Sequence, residues 1–532
     1  MSLDGKKASG SVIAEPMIGS DPQPSVEDSE GLEGQVESRD PEAEKRLAQL
    51  YKLHGATWDG TDDPSDPYNW AEWRKVLIGI IFSVGQLVTL MSASIMAAAL
   101  GNISHDLNIG ASTAQITLSI YFLGLGVGPF FIAALCEMNG RKNIWVTSNL
   151  WFLLWNALCP VRKSKALMII GRFLAAAGAG AGITLTGPVM ADMYHAKDRG
   201  KSLAIASFLP YLGPALGPVV GGIVVQYVYW PWLFWIISIF DAFITILGAI
   251  IIKESYTPVL LRRKAVALSD QPINPALSPS KWAFWHDFFS RLLVYLRRPI
   301  RLLVRRPVIQ VTSLVLGLNF GTLTYTLMIS TFATLWIDRY GQSALIGSLH
   351  YISLSLGFCV SSQIGGRVMD FIYRRLRDRP KNNGEGRPEF RVPYMIPALL
   401  FIPVGLFWYG WSAQYRLTWI MVDIGAFIFT CGSSMIAQAF LAYTLDQFGD
   451  LGASANAATR LLSNVMGFAF PIFAPQLYDR LGYGWGNSLL AFIFVALGVP
   501  VPILLWFWGA KLRALGKKQS DEGRTTIIRG GL

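Results

Sequence analysis

The chain has 532 residues and a formal net charge of +11, with 46 Lys and Arg against 35 Asp and Glu. Apolar residues make up 52% of it and charged residues only 15%, where a soluble globular domain carries about 25%. These proportions exclude a water-soluble globule and bulk disorder, and they point to a protein that crosses the membrane many times.

Residues 1–70, as in SDPQPSVEDSEGLEGQVESRDPEAEK, are rich in Gly, Ser, Pro, Asp and Glu and read as a disordered cytoplasmic tail. They show no basic segment followed by an apolar core, so no signal peptide is expected. The tail ends in DPYNWAEWRK (Asp66 to Lys75), where Trp70 and Trp73 suit a membrane interface and Arg74 and Lys75 a cytoplasmic flank.

A hydrocarbon core of roughly 30 Å needs about 20 apolar residues as helix. Such runs follow at 76–98, 113–135, 143–161, 167–190, 202–228 and 231–252. They resume at 308–336, 343–366, 392–412, 417–440, 453–477 and 485–508. The sequence thus predicts an all-α polytopic membrane protein with twelve transmembrane helices in two bundles of six, over 71–252 and 307–510. A basic cytoplasmic loop is expected over 253–306 and a cytoplasmic tail over 511–532.

Most basic residues fall on one side of this arrangement, with Arg162, Lys163 and Lys165 against the trend. The central loop, the gap after the eighth run and the gaps holding Arg141, Lys142, Lys197, Arg199 and Lys201 carry most of them. By the positive-inside rule these loops and both termini are cytoplasmic, which accounts for the net charge without a nucleic-acid partner. Asn102-Ile103-Ser104 then faces outward as a candidate glycosylation site. The four cysteines are isolated and the five histidines form no metal-binding motif, so no metal, cofactor or catalytic site is expected.

The two halves share a repeated segment. The second run ends in Ala133–Lys142, AALCEMNGRK, and the eighth in Gly366–Arg375, GRVMDFIYRR. In both, a small residue is followed by an acid and paired bases, so Glu137 with Gly140, Arg141 and Lys142, and Asp370 with Arg374 and Arg375, read as a gating latch that releases as two bundles rock. Inside the spans, Arg172, Asp241, Asp423 and Arg460 stand out, each disfavoured by about 2.5–3.5 kcal/mol at a helix centre. Asp241 lies near the middle of the sixth run and is the best-placed proton-binding carboxylate, with a structural pairing to Arg172 or to a backbone group as the competing expectation. The fifth run carries Gly213, Pro214, Gly217, Pro218, Gly221 and Gly222, prolines that kink and glycines that allow close approach; Gly217 is expected at the seam between the bundles.

These segments resemble the major facilitator superfamily, and within it the fungal twelve-span drug:proton antiporter branch. GPALGPVVGG (Gly213 to Gly222) is similar to the antiporter signature of the fifth helix, and AALCEMNGRK to the loop signature between helices two and three. IIGRF, with Arg172, resembles the fourth-helix signature associated with proton coupling. Lys253–Ala265, KESYTPVLLRRKA, together with DPYNW, RPEFRVP (Arg387 to Pro393) and PVGLFWYGW (Pro403 to Trp411), resembles the fungal branch over residues 66–510. The resemblance implies two pseudo-symmetric six-helix bundles around a central cavity, in the major facilitator fold.

The function expected is proton-coupled export of small amphipathic compounds, such as drugs, toxins or secondary metabolites, by a monomer in the plasma membrane or the vacuolar membrane. No Walker-type phosphate loop occurs to supply ATP drive. Candidate cavity residues are Gln86, Asn319, Tyr325, Tyr351, Gln438 and Arg460. Transport of organic acids or other nutrients on the same fold, and a non-transporting membrane sensor, are the alternatives; a membrane enzyme is not expected.

Overall fold

The computed structural model describes residues 41–54, 56–194, 209–268, 281–319, 325–382, 385–448 and 452–529. Within them all regular structure is helical. After α1 (Pro41–His54), α2 (Glu72–Ser94) runs through a 3-10 segment at Ile95–Ala99 into α3 (Leu100–Asp106). There follow α4 (Ala111–Asn139), α5 (Arg141–Leu158), α6 (Lys165–Met193), α7 (Gly213–Tyr227) and α8 (Trp232–Ile251). Two connecting helices, α9 (Thr257–Leu268) and α10 (Lys281–Arg305), lead to α11 (Pro307–Gly317) and α12 (Tyr325–Thr334). The second half continues with α13 (Ala344–Leu349), α14 (Tyr351–Arg377), α15 (Ile396–Gln414), α16 (Trp419–Phe448), α17 (Gly452–Leu497) and α18 (Pro500–Arg529).

Among the described residues nine stretches are long and apolar enough to cross a membrane. One of them, Ser454–Leu515, has 62 residues, length enough for two crossings, and the chain breaks inside it at Gly482, whose φ of +69° a side chain would resist. Two predicted runs fall short for visible reasons. The apolar average of α5 is diluted by Arg141, Lys142, Asn143, Asn149 and Asn156. The run at 308–336 is divided between α11 and α12, with residues 320–324 outside the described part. The first residues of the fifth run, 202–208, also lie outside it, as do Lys197, Arg199 and Lys201.

Along α8 the polar side chains turn inward and a ridge of apolar ones turns outward. On α8, Ser238, Asp241 and Thr245 are buried while Ile239, Phe243, Ile246 and Ile250 are exposed, spaced as one helical stripe. In water this pattern would be inverted. In lipid an exposed isoleucine ridge is the stable surface, and the polar groups are satisfied against neighbouring helices.

The two halves repeat the same packing. In the first, α4 and α5 pack on α6, α5 on α8, and α2 on α7; in the second, α14 and α15 pack on α16, α15 on α17, and α11 on α17. One apolar core of the second half reaches from Val308 to Leu505 and takes in Ala97 and Ala215 of the first, so the halves meet through buried side chains. Two further cores fill the first half.

The disordered tail expected over 1–70 needs correction beyond residue 40. α1 is helical, and the segment after it is packed: Trp58 and Asp66 are 4% and 2% exposed, and Arg46 reaches Asp66 at 2.9 Å. Acidic side chains hold this segment to the basic α9, with Lys264 bonded to Asp59 at 2.6 Å. Residues 1–40 lie outside the described part. The central loop, where described, forms helices α9 and α10 after the non-helical residues 253–256, and the described part of the C-terminal tail is the end of α18.

Candidate functional site

Where α4 meets α5 the chain turns at Gly140, φ +93°. A Cβ there would sit 2.3 Å from Glu254 Oε2, so this glycine is needed for both its conformation and its lack of a side chain. Glu254 follows α8 and caps the start of α5: its carboxylate accepts from the backbone N–H of Arg141 at 2.8 Å, Lys142 at 3.2 Å and its neighbour Tyr256 at 3.0 Å. A carboxylate on free amides at a helix N-terminus is doubly favoured, by hydrogen bonding and by the helix dipole. Arg141 donates through Nε to Asp192 near the end of α6 at 3.2 Å, and its guanidinium lies 4.2 Å from the centre of the Tyr256 ring. Ser255 also donates to Asp192, at 3.3 Å. Glu137, the acid expected in this latch, is exposed and forms no ion pair among the described residues.

The second half has a related cluster at the same end. Arg391 bonds Asp370 at 2.7 Å and Asp446 at 2.9 Å, and its guanidinium lies 4.2 Å from the Tyr373 ring. Asp370 is therefore in a charge cluster, but its base is Arg391 rather than Arg374 or Arg375. The repeat matches in chemistry and not in register. Arg141 follows the turn that ends α4, whereas Arg374 and Arg375 lie inside α14, which continues to Arg377. The matching pairs are Arg141 with Asp192 and Arg391 with Asp446, each an arginine at the start of a half's third span and an acid at the end of its fourth. Asp192, Glu254, Arg391 and Asp446 were not singled out from sequence. Acids at helix ends that the positive-inside rule would fill with bases were the available signal.

Within the membrane, Arg172 on α6 is 0% exposed and donates from Nη1 to the Ser92 carbonyl at 3.0 Å and the Ser92 hydroxyl at 3.2 Å. Its guanidinium lies over the Tyr121 ring at 4.2 Å, with Phe234 at 5.8 Å. Such a desolvated cation–π contact is worth about 2 kcal/mol. Asp241 on α8 is 2% exposed, and its Oδ2 has no hydrogen-bond partner among the described residues. The two charges do not form an ion pair, which removes the pairing to Arg172 weighed above. Both are within electrostatic reach of Tyr121, whose hydroxyl donates to the Thr89 carbonyl at 3.1 Å.

The glycines of α7 sort into two contacts. Added Cβ atoms at Gly213, Gly217 and Gly221 would meet Leu90 at 2.7 Å, Ser94 at 2.3 Å and the Ile95 carbonyl at 2.5 Å, all on the first span of the same half. Pro214 and Pro218 are buried on this helix. Only Gly222 faces the other half, where a Cβ would lie 2.4 Å from Ser348 Oγ and 2.7 Å from the Ala344 carbonyl. The expectation that Gly217 stands at the seam is thus corrected to Gly222. The same end of the seam holds a hydrogen bond from Gln476 to Ser112 at 2.6 Å. Midway, Gly126 admits Asn464 of α17, which a Cβ would meet at 2.9 Å.

Toward the basic end, Arg460 on α17 is exposed and its guanidinium has no ion-pair partner among the described residues; Tyr211 of the other half is within electrostatic reach. The remaining cavity candidates are dispersed. Gln86 is half-buried and bonds Thr186 at 2.7 Å, joining α2 to α6. Gln438 is half-buried and bonds Ser434 on its own helix at 3.0 Å. Asn319 is 2% exposed and donates to the Ser433 carbonyl at 3.1 Å. Tyr351 is core: it is fully buried, its hydroxyl accepts from the Ala333 amide at 3.2 Å, and its ring meets Phe332 at 5.0 Å. The side chain of Tyr325 lies outside the described residues, and Asn102 is exposed on α3.

A family model described as Major Facilitator Superfamily matches residues 82–471. The chain is 37% identical over 438 residues to the probable efflux pump mfs2 of Aspergillus flavus, covering 80% of this chain and 100% of that one. It is 33% identical to the efflux pump vrtL of Penicillium aethiopicum, over 87% of this chain and 91% of the relative, and 35% identical to the efflux pump radE of Floropilus chiversii, over 89% and 87%. Among solved structures it matches the xylose transporter XylE from E. coli in a partially occluded inward open conformation, with a TM-score of 0.57 over 81% of this chain and 98% of that one. At 14% identity that likeness speaks to the fold alone.

Proposed function

The chain belongs to the major facilitator superfamily and is a secondary transporter, and we propose that it exports small amphipathic compounds in exchange for protons across twelve spans. The observation that carries this reading is a clasp of the two bundles at one end of their seam. Gly222 against Ser348, and Gln476 against Ser112, close the seam at one end, while Arg460 stands exposed on it toward the other. Two rigid bodies joined this way can rock about the middle and present one chamber to either side in turn. Export is supported by the Gly213–Gly222 segment and by the relatives named as efflux pumps.

Asp241 is the proton carrier in this proposal, because it is a buried carboxylate with an unpartnered oxygen, and Arg172 beside Tyr121 biases its charge. Glu137, Gly140, Arg141, Lys142 and Asp370 belong to the gating ends, with the glycines and prolines of α7 as the packing spine. The transporter works as a monomer in the plasma membrane, both termini in the cytoplasm and Asn102 carrying a glycan outside. A second reading, transport of organic anions, is favoured by Arg460, a cation on the seam that a substrate carboxylate would neutralise.

Deleting the gene and comparing metabolites in cells and medium tests the direction without knowing the cargo. Export requires compounds to accumulate in the cells and vanish from the medium; the reverse would establish uptake. In cells carrying Asp241→Asn at normal surface level, efflux of the compound so identified should stop. Continued pumping under a proton gradient would place the proton elsewhere.

A further inference from the structure

The connecting helix α10 is not used by the transport cycle described above, yet its sequence is unusual for a loop. KWAFWHDFFSRLLVYLRRPIRLLVR contains six basic residues and a single acid, Asp287, among tightly spaced apolar side chains. Phe289, Leu293, Ile300 and Val304 are between 46% and 66% exposed. At about 100° per residue they fall within one stripe roughly 60° wide. Arg297, Arg301 and Arg305 flank that stripe on one side, are exposed, and have no ion-pair partner among the described residues. A third face carries the buried Leu292 and the half-buried Leu303, which packs with Leu302 on Ile309, Ala455 and Ala458.

One helix thus shows a protein-facing side, an exposed apolar stripe and a basic arc. The helix runs through Arg305 and Arg306 directly into the apolar helix α11 at Pro307, the start of the predicted seventh run, which places its stripe and its arginines where acyl chains give way to headgroups. We propose that α10 is an interfacial helix that docks on anionic phospholipid, its apolar stripe at the acyl boundary and Arg297, Arg301 and Arg305 on headgroup phosphates. It packs against α4 of the first bundle and α17 of the second, so docking fastens the basic end of the seam to the bilayer surface.

The test uses the full-length protein with Cys359→Ser, leaving three buried cysteines, and an environment-sensitive fluorophore on Ile300→Cys. The protein is reconstituted into vesicles of phosphatidylcholine with or without phosphatidylserine, containing a lipid quencher placed near the headgroups. Docking predicts strong lipid quenching with phosphatidylserine and weak quenching without it. Changing Arg297, Arg301 and Arg305 together to Gln should abolish the difference, since three such charges give on the order of a hundred-fold preference for an anionic surface. Changing the same three to Lys should keep it, because headgroup attraction needs the charge and not the guanidinium, and this variant guards against misfolding as the cause of a loss. Equal quenching in both vesicle types, or a label shielded from both lipid and aqueous quenchers by protein, would overturn the proposal.

Discussion

The two arginine clusters at the basic end perform similar pairings in different surroundings. Around Arg141 the side chains are closed off, with 10% exposure for the arginine and 18% for Asp192. Around Arg391 the acids are open, at 55% for Asp370 and 28% for Asp446. The first cluster also sits on a sharp turn and a capped helix start, while Arg391 lies on a 3-10 segment (Pro388–Met395) that leads into α15. An exposed ion pair contributes little because water and salt screen it, whereas a charge stranded in a buried one is strongly unfavourable. The first cluster is therefore the costlier to open, because opening it also disturbs a capped helix start, whereas the acids of the second are already reached by solvent.

The contrast can be broken most severely at the turn. Gly140→Ala places a Cβ in a left-handed conformation and against the Glu254 carboxylate, and should destabilise the purified protein by about 3 kcal/mol, read as earlier thermal loss of the monodisperse peak. Arg141→Ala, which leaves Asp192 without its base, should lose about 2 kcal/mol in the same assay, and Arg391→Ala about 1 kcal/mol. Equal losses for the two arginines would erase the distinction drawn here. Glu254→Gln keeps the size of the cap but removes its charge and turns one accepting oxygen into a donor against a backbone N–H, for a loss of about 1 kcal/mol that high salt does little to change. Asp370→Asn should be the mildest, under about 0.5 kcal/mol, and its effect should disappear in high salt.

Hydropathy alone located most of the membrane runs, because a bilayer demands length and apolarity of nearly every residue facing it. What it could not supply was rotation about each helix axis. Tyr351 and Asn319 read as cavity candidates because they are polar-capable residues in apolar runs, yet their helices turn them into the bundle. Gly217 and Gly222 are indistinguishable in the sequence, and only the neighbouring helices decide which one reaches the other half. The repeat was visible as composition and misaligned as register, because Arg141 follows a turn at Gly140 whereas Arg374 and Arg375 lie within α14, and the base that pairs in the second half, Arg391, comes from the next segment. α1 was missed since its residues look like those of a tail, and the segment that follows it is tied to α9 through Asp59 and Lys264, more than two hundred positions apart.

The cap on α5 joins residues 113 positions apart, Arg141 and Glu254. During synthesis the start of the third span is laid down early, but its carboxylate partner leaves the ribosome only after the sixth has been made. Until then that helix end has no acceptor from this residue. Closure of the cap accordingly marks completion of the first six spans, before any of the second set emerges, and gives the nascent chain a natural checkpoint at its midpoint.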